Sequence, residues 1–231
     1  MSSRLILAGG GEAEDSRPLD ERFARWIGPG GRMLYWPIAM NLIAMDGQQP
    51  RTYAQCLDWV SCVYRLLGVT DIEMWTSLAD RDPGELDHFD AVFIGGGNTF
   101  RLLHLVRQAG FDQALARFAA QGGAIHGGSA GAILLGRDIA TCAHMDTNDV
   151  GVVDTAGLDL AGGYAIWCHY RPEDDRSVAA YIEDYGFPVL ALSERSGVQV
   201  EGDHLSAVGF EPLVQFTSRG RRVIDVGERV P

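Results

Sequence analysis

A serine set among small residues is the side chain in this sequence best placed for covalent chemistry. Ser129 is the centre of Gly127-Gly128-Ser129-Ala130-Gly131, between a short apolar run and a helix-like run. Small neighbours let the backbone turn sharply from strand to helix and leave the hydroxyl exposed. The next amide, that of Ala130, can then face the negative charge of a tetrahedral intermediate. The pattern predicts a nucleophile, against the alternative of a plain glycine-rich turn.

A second glycine cluster, Gly95-Gly96-Gly97-Asn98-Thr99, also ends an apolar run and begins a helical one. Turns at the carboxyl ends of parallel strands share one sheet edge, where active sites collect. A glycine amide in this turn can therefore supply a second oxyanion donor, because no Cβ blocks the approach. The alternatives are a phosphate-binding turn or a helix cap made by Asn98 or Thr99. A third cluster, Gly9-Gly10-Gly11, lacks the last glycine of a dinucleotide-binding fingerprint.

The elements around these turns alternate between short apolar strands and amphipathic helices. Strands are expected at residues 5–8, 33–39, 71–75, 90–94, 124–126 and 164–168, and helices at 20–27, 52–67, 100–109, 111–121 and 130–135. This alternation is typical of a mostly parallel sheet between helices. After a helix at 177–185, runs at 189–192, 197–201, 204–208 and 213–217 favour partly antiparallel strands. We expect one α/β domain over residues 1–231.

Charge and composition exclude several classes of function. The chain has 231 residues, a formal net charge of −12 and no lysine. Nucleic-acid binding is disfavoured because it needs clustered cations, and Schiff-base or P-loop lysine chemistry is excluded. No apolar run is long enough for a signal peptide or a membrane span, so we expect a cytoplasmic protein. The four cysteines form no Cys-x-x-Cys pair, and neither a metal nor another cofactor is expected.

Four motifs occur in the order found in the peptidase E family, which this chain resembles over roughly residues 5 to 210. They are the segments at 95–103, 127–132, 147–149 (Thr-Asn-Asp) and 168–170 (Cys-His-Tyr). The resemblance is to serine peptidases of the S51 type, which include aspartyl dipeptidases and have cyanophycinases as relatives. It implies a class I glutamine-amidotransferase-like α/β sandwich, a Ser-His-acid triad and cleavage after an N-terminal aspartate.

The resemblance also implies the members of the triad. Ser129 matches the nucleophile and His169 the general base, whose imidazole can take the hydroxyl proton and return it to the leaving amine. Asp149 matches the acid that would hold the imidazole tautomer. The segment between Ser129 and the Thr-Asn-Asp motif looks longer than in the family, so Asp146 is an alternative acid and Glu194 a more remote one.

Substrate contacts follow from the same resemblance. Gly97 and Ala130 match the oxyanion amides. An aspartate side chain needs a cation, and arginine is the only basic residue available apart from histidine. Arg176 and Arg171 are the candidates because a guanidinium holds a carboxylate bidentately, although both have acidic neighbours with which they could simply pair. Asn98 is a candidate for the substrate's α-ammonium group, and Glu12 is another.

Three functions from different classes stay open at this point. The leading one is a serine exopeptidase acting on small peptides through an acyl-enzyme. The second is a cyanophycinase-like hydrolase of β-aspartyl-arginine units. The third is a non-catalytic ligand-binding member of the fold, which a misplaced acid near residues 146–149 would favour. A small peptide is the expected partner, and a homodimer is possible.

Overall fold

The chain folds around two β-sheets in a computed structural model that describes residues 3–40 and 51–231. The larger sheet has seven strands in the order β3-β2-β4-β5-β1-β8-β9. Their bounds are Arg4–Ala8 (β1), Arg32–Trp36 (β2), Asp71–Met74 (β3), Ala91–Ile94 (β4), Ala124–Gly128 (β5), Ser196–Glu201 (β8) and His204–Gly209 (β9). The five strands from β3 to β1 are parallel, whereas β8 and β9 continue the sheet antiparallel.

Helices cover both faces of the parallel part. They are Ala13–Ile27 (α1), Tyr53–Leu66 (α2), Thr99–Gln108 (α3), Phe111–Ala120 (α4) and Ala130–Leu135 (α5). Alternate strand residues point to opposite faces. Leu34, Val92 and Ile125 accordingly lie in the core with α3, α4 and α5. The intervening Met33 and Phe93 lie in the core with α1 and α2. Strands buried on both faces explain the nearly continuous apolar runs of the sequence, and the expected α/β fold is confirmed.

A smaller sheet carries the C-terminal part of the chain. Its order is β11-β10-β7-β6, with bounds Ala165–Trp167 (β6), Val189–Ala191 (β7), Leu213–Thr217 (β10) and Gly220–Ile224 (β11). Helix α6, Asp175–Tyr185, packs on it through Val178 and Tyr181. Because β6 and β7 belong to this sheet, the chain must pass from one sheet to the other after β5 and again between β7 and β8. Those two passages bring distant residues to the end of β1.

No helix in the described part of the chain is both long and apolar enough to span a bilayer.

Candidate active site

Ser129 lies at the turn between β5 and α5, as the glycine pattern predicts. Its backbone has φ 48° and ψ −109°, a conformation that a residue with a side chain rarely adopts. The flanking glycines make this turn possible, because a side chain at either position would collide with neighbouring backbone atoms. A Cβ at Gly127 would lie 2.5 Å from the carbonyl carbon of Gly131, and one at Gly131 would lie 2.3 Å from the oxygen of Ile94. Helix α5 can therefore begin directly against the sheet and expose the Ser129 hydroxyl.

His169 is brought to Ser129 by the end of β6. Its Nε2 is 2.9 Å from the Ser129 Oγ. The last residue of β1 and the residue after it hold both backbones, because the Ser129 N–H donates to the Ala8 oxygen at 3.1 Å and the His169 N–H donates to the Gly9 oxygen at 2.9 Å. Two residues 40 positions apart in the chain thus share one anchor.

Gly10 lies directly under the His169 ring. A Cβ built on Gly10, which has φ 125°, would lie 2.2 Å from the ring's Cε1 and 2.8 Å from its Nε2. No side chain fits there without displacing the imidazole. The sequence did not predict this role of the Gly9-Gly10-Gly11 cluster, for which it offered only nucleotide binding.

Glu194 completes the arrangement. Its Oε1 is 3.1 Å from the Nδ1 of His169, and it lies in the turn between β7 and β8 where the chain passes between the sheets. A carboxylate only accepts, so Nδ1 carries the proton and Nε2 is left free to accept the Ser129 hydroxyl proton. The carboxylate is half exposed, with a side-chain exposure of 50%.

The expected acid, Asp149, is not at the imidazole. Its carboxylate accepts a hydrogen bond from the Thr147 hydroxyl at 3.1 Å on an exposed loop. Asp146, the first alternative, accepts from the backbone N–H of Thr99 at 2.8 Å and so helps to cap α3. The geometry brings Glu194, the alternative that looked most remote in the sequence, to His169 instead of Asp149, and its role as the triad acid stays a proposal.

Asn98 is also a capping residue. Its side-chain oxygen accepts from the Arg101 N–H at 2.9 Å, and its side-chain nitrogen donates to the Thr147 oxygen at 2.8 Å. Both ends of the amide make hydrogen bonds within the protein, and Asn98 thereby holds the loop at 147–149 against α3. The structural alternative considered for this residue therefore describes it better than a substrate-binding role.

The loop before Asn98 lies against the serine. A Cβ on Gly96 would be 3.4 Å from the Ser129 Cβ, and Gly97 lines the cleft beside Ser129. The Ala130 N–H is at the start of α5, where the helix supplies no acceptor. The assignment of these two amides, Gly97 and Ala130, to an oxyanion site stays a prediction.

A cavity of about 420 Å³ opens beside Ser129 and His169. Aromatic and apolar side chains form much of its wall, including Tyr35, Trp59 and Phe93. Arg51 is the arginine that lines it, and this residue was missed by sequence reasoning because it lies far from every motif. Its guanidinium donates to both carboxylate oxygens of Glu12, at 2.6 and 2.8 Å.

The two arginines favoured by the sequence lie elsewhere. Arg176 is exposed on the first turn of α6 and lines neither this cavity nor the cavity on the other side of His169. Arg171 is exposed and lines that other cavity. The lining of the two cavities therefore gives no support to a substrate-binding role for Arg176.

His126, three residues before Ser129, is buried and belongs to a separate polar network. Asp20 accepts from the hydroxyls of Ser16 and Tyr64, both at 2.7 Å, and the Tyr64 oxygen is 3.0 Å from the Nδ1 of His126. The ring stacks on Phe93 at 4.4 Å. Burial lowers the pKa of His126 to about 3. Burial also raises the pKa of Asp20 to about 6, against the opposing effect of its hydrogen bonds with Ser16 and Tyr64.

Metal ligands are not grouped in residues 3–40 and 51–231, where no cluster of three or more His, Cys, Asp or Glu side chains is placed to hold an ion. The four cysteines are free thiols, and three of them are buried. The site instead combines a hydroxyl, an imidazole and a carboxylate at the carboxyl edge of a parallel sheet. This is the arrangement of a serine hydrolase.

Comparison with known proteins narrows this class. The model of peptidase family S51 matches residues 5–208, and the chain belongs to that family. Peptidase E of Streptomyces coelicolor is 33% identical over 152 residues, which is 60% of this chain and 60% of that protein. Peptidase E of Shewanella denitrificans is 28% identical over 221 residues, covering 90% of this chain and 84% of that protein. The probable alpha-aspartyl dipeptidase of Drosophila melanogaster is 27% identical over 142 residues, covering 56% and 58%.

Solved structures share the fold. A protein from Listeria monocytogenes assigned as a peptidase E has a TM-score of 0.72 at 20% identity, over 91% of this chain and all of that one. A peptidase from an acI-B1 actinobacterium has a TM-score of 0.72 at 17% identity, over 100% of this chain and 97% of that one.

Proposed function

We propose that this chain is a serine exopeptidase that hydrolyses small peptides, in the first place dipeptides with an N-terminal aspartate. The observation that carries the proposal is the continuous chain of hydrogen-bonding groups from Ser129 through His169 to Glu194, at 2.9 and 3.1 Å. Membership of peptidase family S51 supports the same reaction.

The geometry supports a two-step reaction. Nε2 of His169 takes the proton as Ser129 Oγ bonds to the substrate carbonyl carbon, and the amides of Gly97 and Ala130 hold the resulting oxyanion. The imidazolium, stabilised by Glu194, gives the proton to the leaving amine as the C–N bond breaks. Water then attacks the acyl carbon and gives a proton to His169, and the bond to Ser129 Oγ breaks as that oxygen takes the proton back and the acid is released.

The aspartate preference is supported by Arg51. A chain with a net charge of −12 repels anions on average, so an acidic side chain needs a local cation. Arg51 lines the serine's cleft, and its partner Glu12 is a carboxylate suited to an α-ammonium group. A substrate that carries an ammonium and a carboxylate close together would match this pair, with its ammonium group at Glu12 and its carboxylate at Arg51. The Drosophila relative carries an alpha-aspartyl dipeptidase name.

A non-catalytic function would be favoured by an acid displaced from the histidine. Glu194 is hydrogen-bonded to that ring. The structure therefore gives no observation in favour of a serine that does not react. Hydrolysis is the function that the geometry supports best.

The test compares Ser129→Ala with Ser218→Ala, an exposed serine in a turn, on p-nitroanilides of aspartate, asparagine and alanine. We expect the Ser129 variant to lose at least about 10⁴-fold in kcat, and the Ser218 variant to match the natural chain. Equal turnover by Ser129→Ala would overturn the proposal.

The substrate series tests specificity separately. Because aspartate and asparagine have nearly the same shape, their kcat/KM ratio reports recognition of charge, and we expect at least about tenfold in favour of aspartate. A ratio near one would leave an exopeptidase without aspartate preference. Faster release of arginine from β-aspartyl-arginine than from the α-linked dipeptide would favour the cyanophycinase-like function instead.

A further inference from the structure

A second cavity lies on the other side of the catalytic histidine. It has a volume of about 530 Å³ and shares one lining residue, His169, with the serine's cleft. Glu194 lines only this second cavity. The imidazole is therefore the wall between the two spaces. The proton that reaches the leaving amine comes from this same ring, so the leaving residue is bound beside it.

The acidic groups of the second cavity already have partners. Glu194 is bound to His169. Asp15 and Glu211 are both held by Arg195, at 3.1 and 3.3 Å. None of these three carboxylates is free to neutralise a further cation in the cavity.

The arginines of the cavity differ from one another. Arg195 is committed to its two carboxylates. Arg221 pairs with Asp175 at 3.4 Å, outside the cavity lining. Among the residues that the structure describes, the side chain of Arg171 takes part in no hydrogen bond or ion pair, and it is exposed two residues after His169. The cavity thus offers one uncommitted guanidinium next to the catalytic ring.

We propose that the second cavity is the subsite for the leaving residue and that Arg171 binds the free α-carboxylate of that residue. The inference rests on the proposed function and deepens it, because it names what makes the enzyme prefer dipeptides over longer or blocked chains. A guanidinium recognises a carboxylate bidentately. A peptide amide at the same place offers no charge for it.

The kinetic test uses two substrates that differ only at the C-terminus, Asp-Leu with a free carboxylate and Asp-Leu amide. We expect Arg171→Met to lower kcat/KM for the free acid by about 10-fold or more, and for the amide by less than about twofold. Arg171→Lys should keep part of the preference, since the charge remains. Arg222→Met is the matched control, because Arg222 is exposed and points to the opposite face of β11 from Arg221 and Val223.

Equal losses on both substrates, or no loss on either, would overturn the inference. So would a loss confined to the aspartate-over-alanine ratio, because Arg171 would then bind the first side chain of the substrate.

A binding arm separates this inference from the proposed function. The same two dipeptides are titrated calorimetrically into Ser129→Ala and into Ser129→Ala with Arg171→Met. Tighter binding of the free acid that disappears with Arg171 supports the subsite even if the natural chain hydrolyses neither dipeptide. If the natural chain hydrolyses Asp-Leu and Asp-Leu amide equally well, the proposed peptidase function is supported and the proposed carboxylate subsite is contradicted.

Discussion

Two histidines lie near Ser129 and have opposite properties. His126 is three residues away in the chain, on the strand that ends just before the serine, and is 1% exposed. His169 is forty residues away, on a different sheet, and its side chain is 37% exposed. The near one faces α1 and α2 and bonds to Tyr64, whereas the distant one touches the serine hydroxyl.

The difference shows that position in the sheet decides which imidazole can do chemistry. His126 lies within β5 and bonds to Tyr64, whereas Ser129 lies in the turn after that strand and contacts His169, so closeness in sequence does not give contact. Burial lowers the pKa of His126 to about 3, which keeps that ring neutral and removes it as a proton acceptor at neutral pH. His169 has the serine on one ring nitrogen and a carboxylate on the other.

The comparison is tested most strongly by replacing each histidine in turn. His169→Gln should lower kcat by about 10³-fold or more, because the general base is lost, and should leave the melting temperature nearly unchanged, since the ring is partly exposed. His126→Phe should lower the free energy of unfolding by about 1–3 kcal/mol, because it disrupts a buried network, with kcat reduced less than tenfold.

Steady-state kinetics and thermal unfolding of the two variants give both readouts. A large loss of kcat in a stably folded His126→Phe protein, with His169→Gln still active, would reverse the roles assigned to the two rings.

The carboxylate is tested by a second pair of variants. Glu194→Gln removes the charge that stabilises the imidazolium, and we expect kcat to fall on the order of 10²-fold, less than for a fully buried triad acid because Glu194 is half exposed. Asp149→Asn should change kcat by less than about twofold, since that side chain contacts only Thr147. The opposite ranking would restore Asp149 as the catalytic acid.

The smallest effect concerns the pH dependence of stability near His126. The pKa of Asp20 is raised from 3.8 to about 6, so its contribution to stability is complete below pH 4 and is lost as the pH rises through 6. The pKa of His126 is lowered from 6.5 to about 3, so its contribution is complete above pH 6.5 and is lost as the pH falls towards 3. Between pH 4 and 6 the two contributions oppose each other.

Replacing one of the two groups should leave the pH dependence of stability that the other group causes. Denaturant unfolding of Asp20→Asn should show a free energy that rises more steeply from pH 4 to 6 than in the natural chain, by on the order of 2 kcal/mol. His126→Phe should show the reverse slope change. Unchanged slopes in both variants would mean that the buried pair does not titrate as described.

Much of the site's framework was predictable because it is local. The turn at Ser129 and the loop at Gly97 follow from small residues between an apolar strand and a helix, and these patterns need no knowledge of distant segments. Two elements of the fold could not be predicted from local sequence patterns. The first half of α1 carries Pro18 and several polar residues, so the helix was expected only from residue 20, and β11 has three exposed residues in Gly-Arg-Arg that gave no strand signal.

The sequence by itself determined the hydroxyl, its turn and the parallel sheet that presents it, because each depends on neighbouring residues and on a periodicity of two or 3.6. Only the tertiary structure decided that Glu194 faces the imidazole, that Gly10 lies beneath it and that Arg51 and Arg171 line the two cavities. Those contacts depend on how the two sheets meet at the end of β1, and no local spacing encodes that meeting.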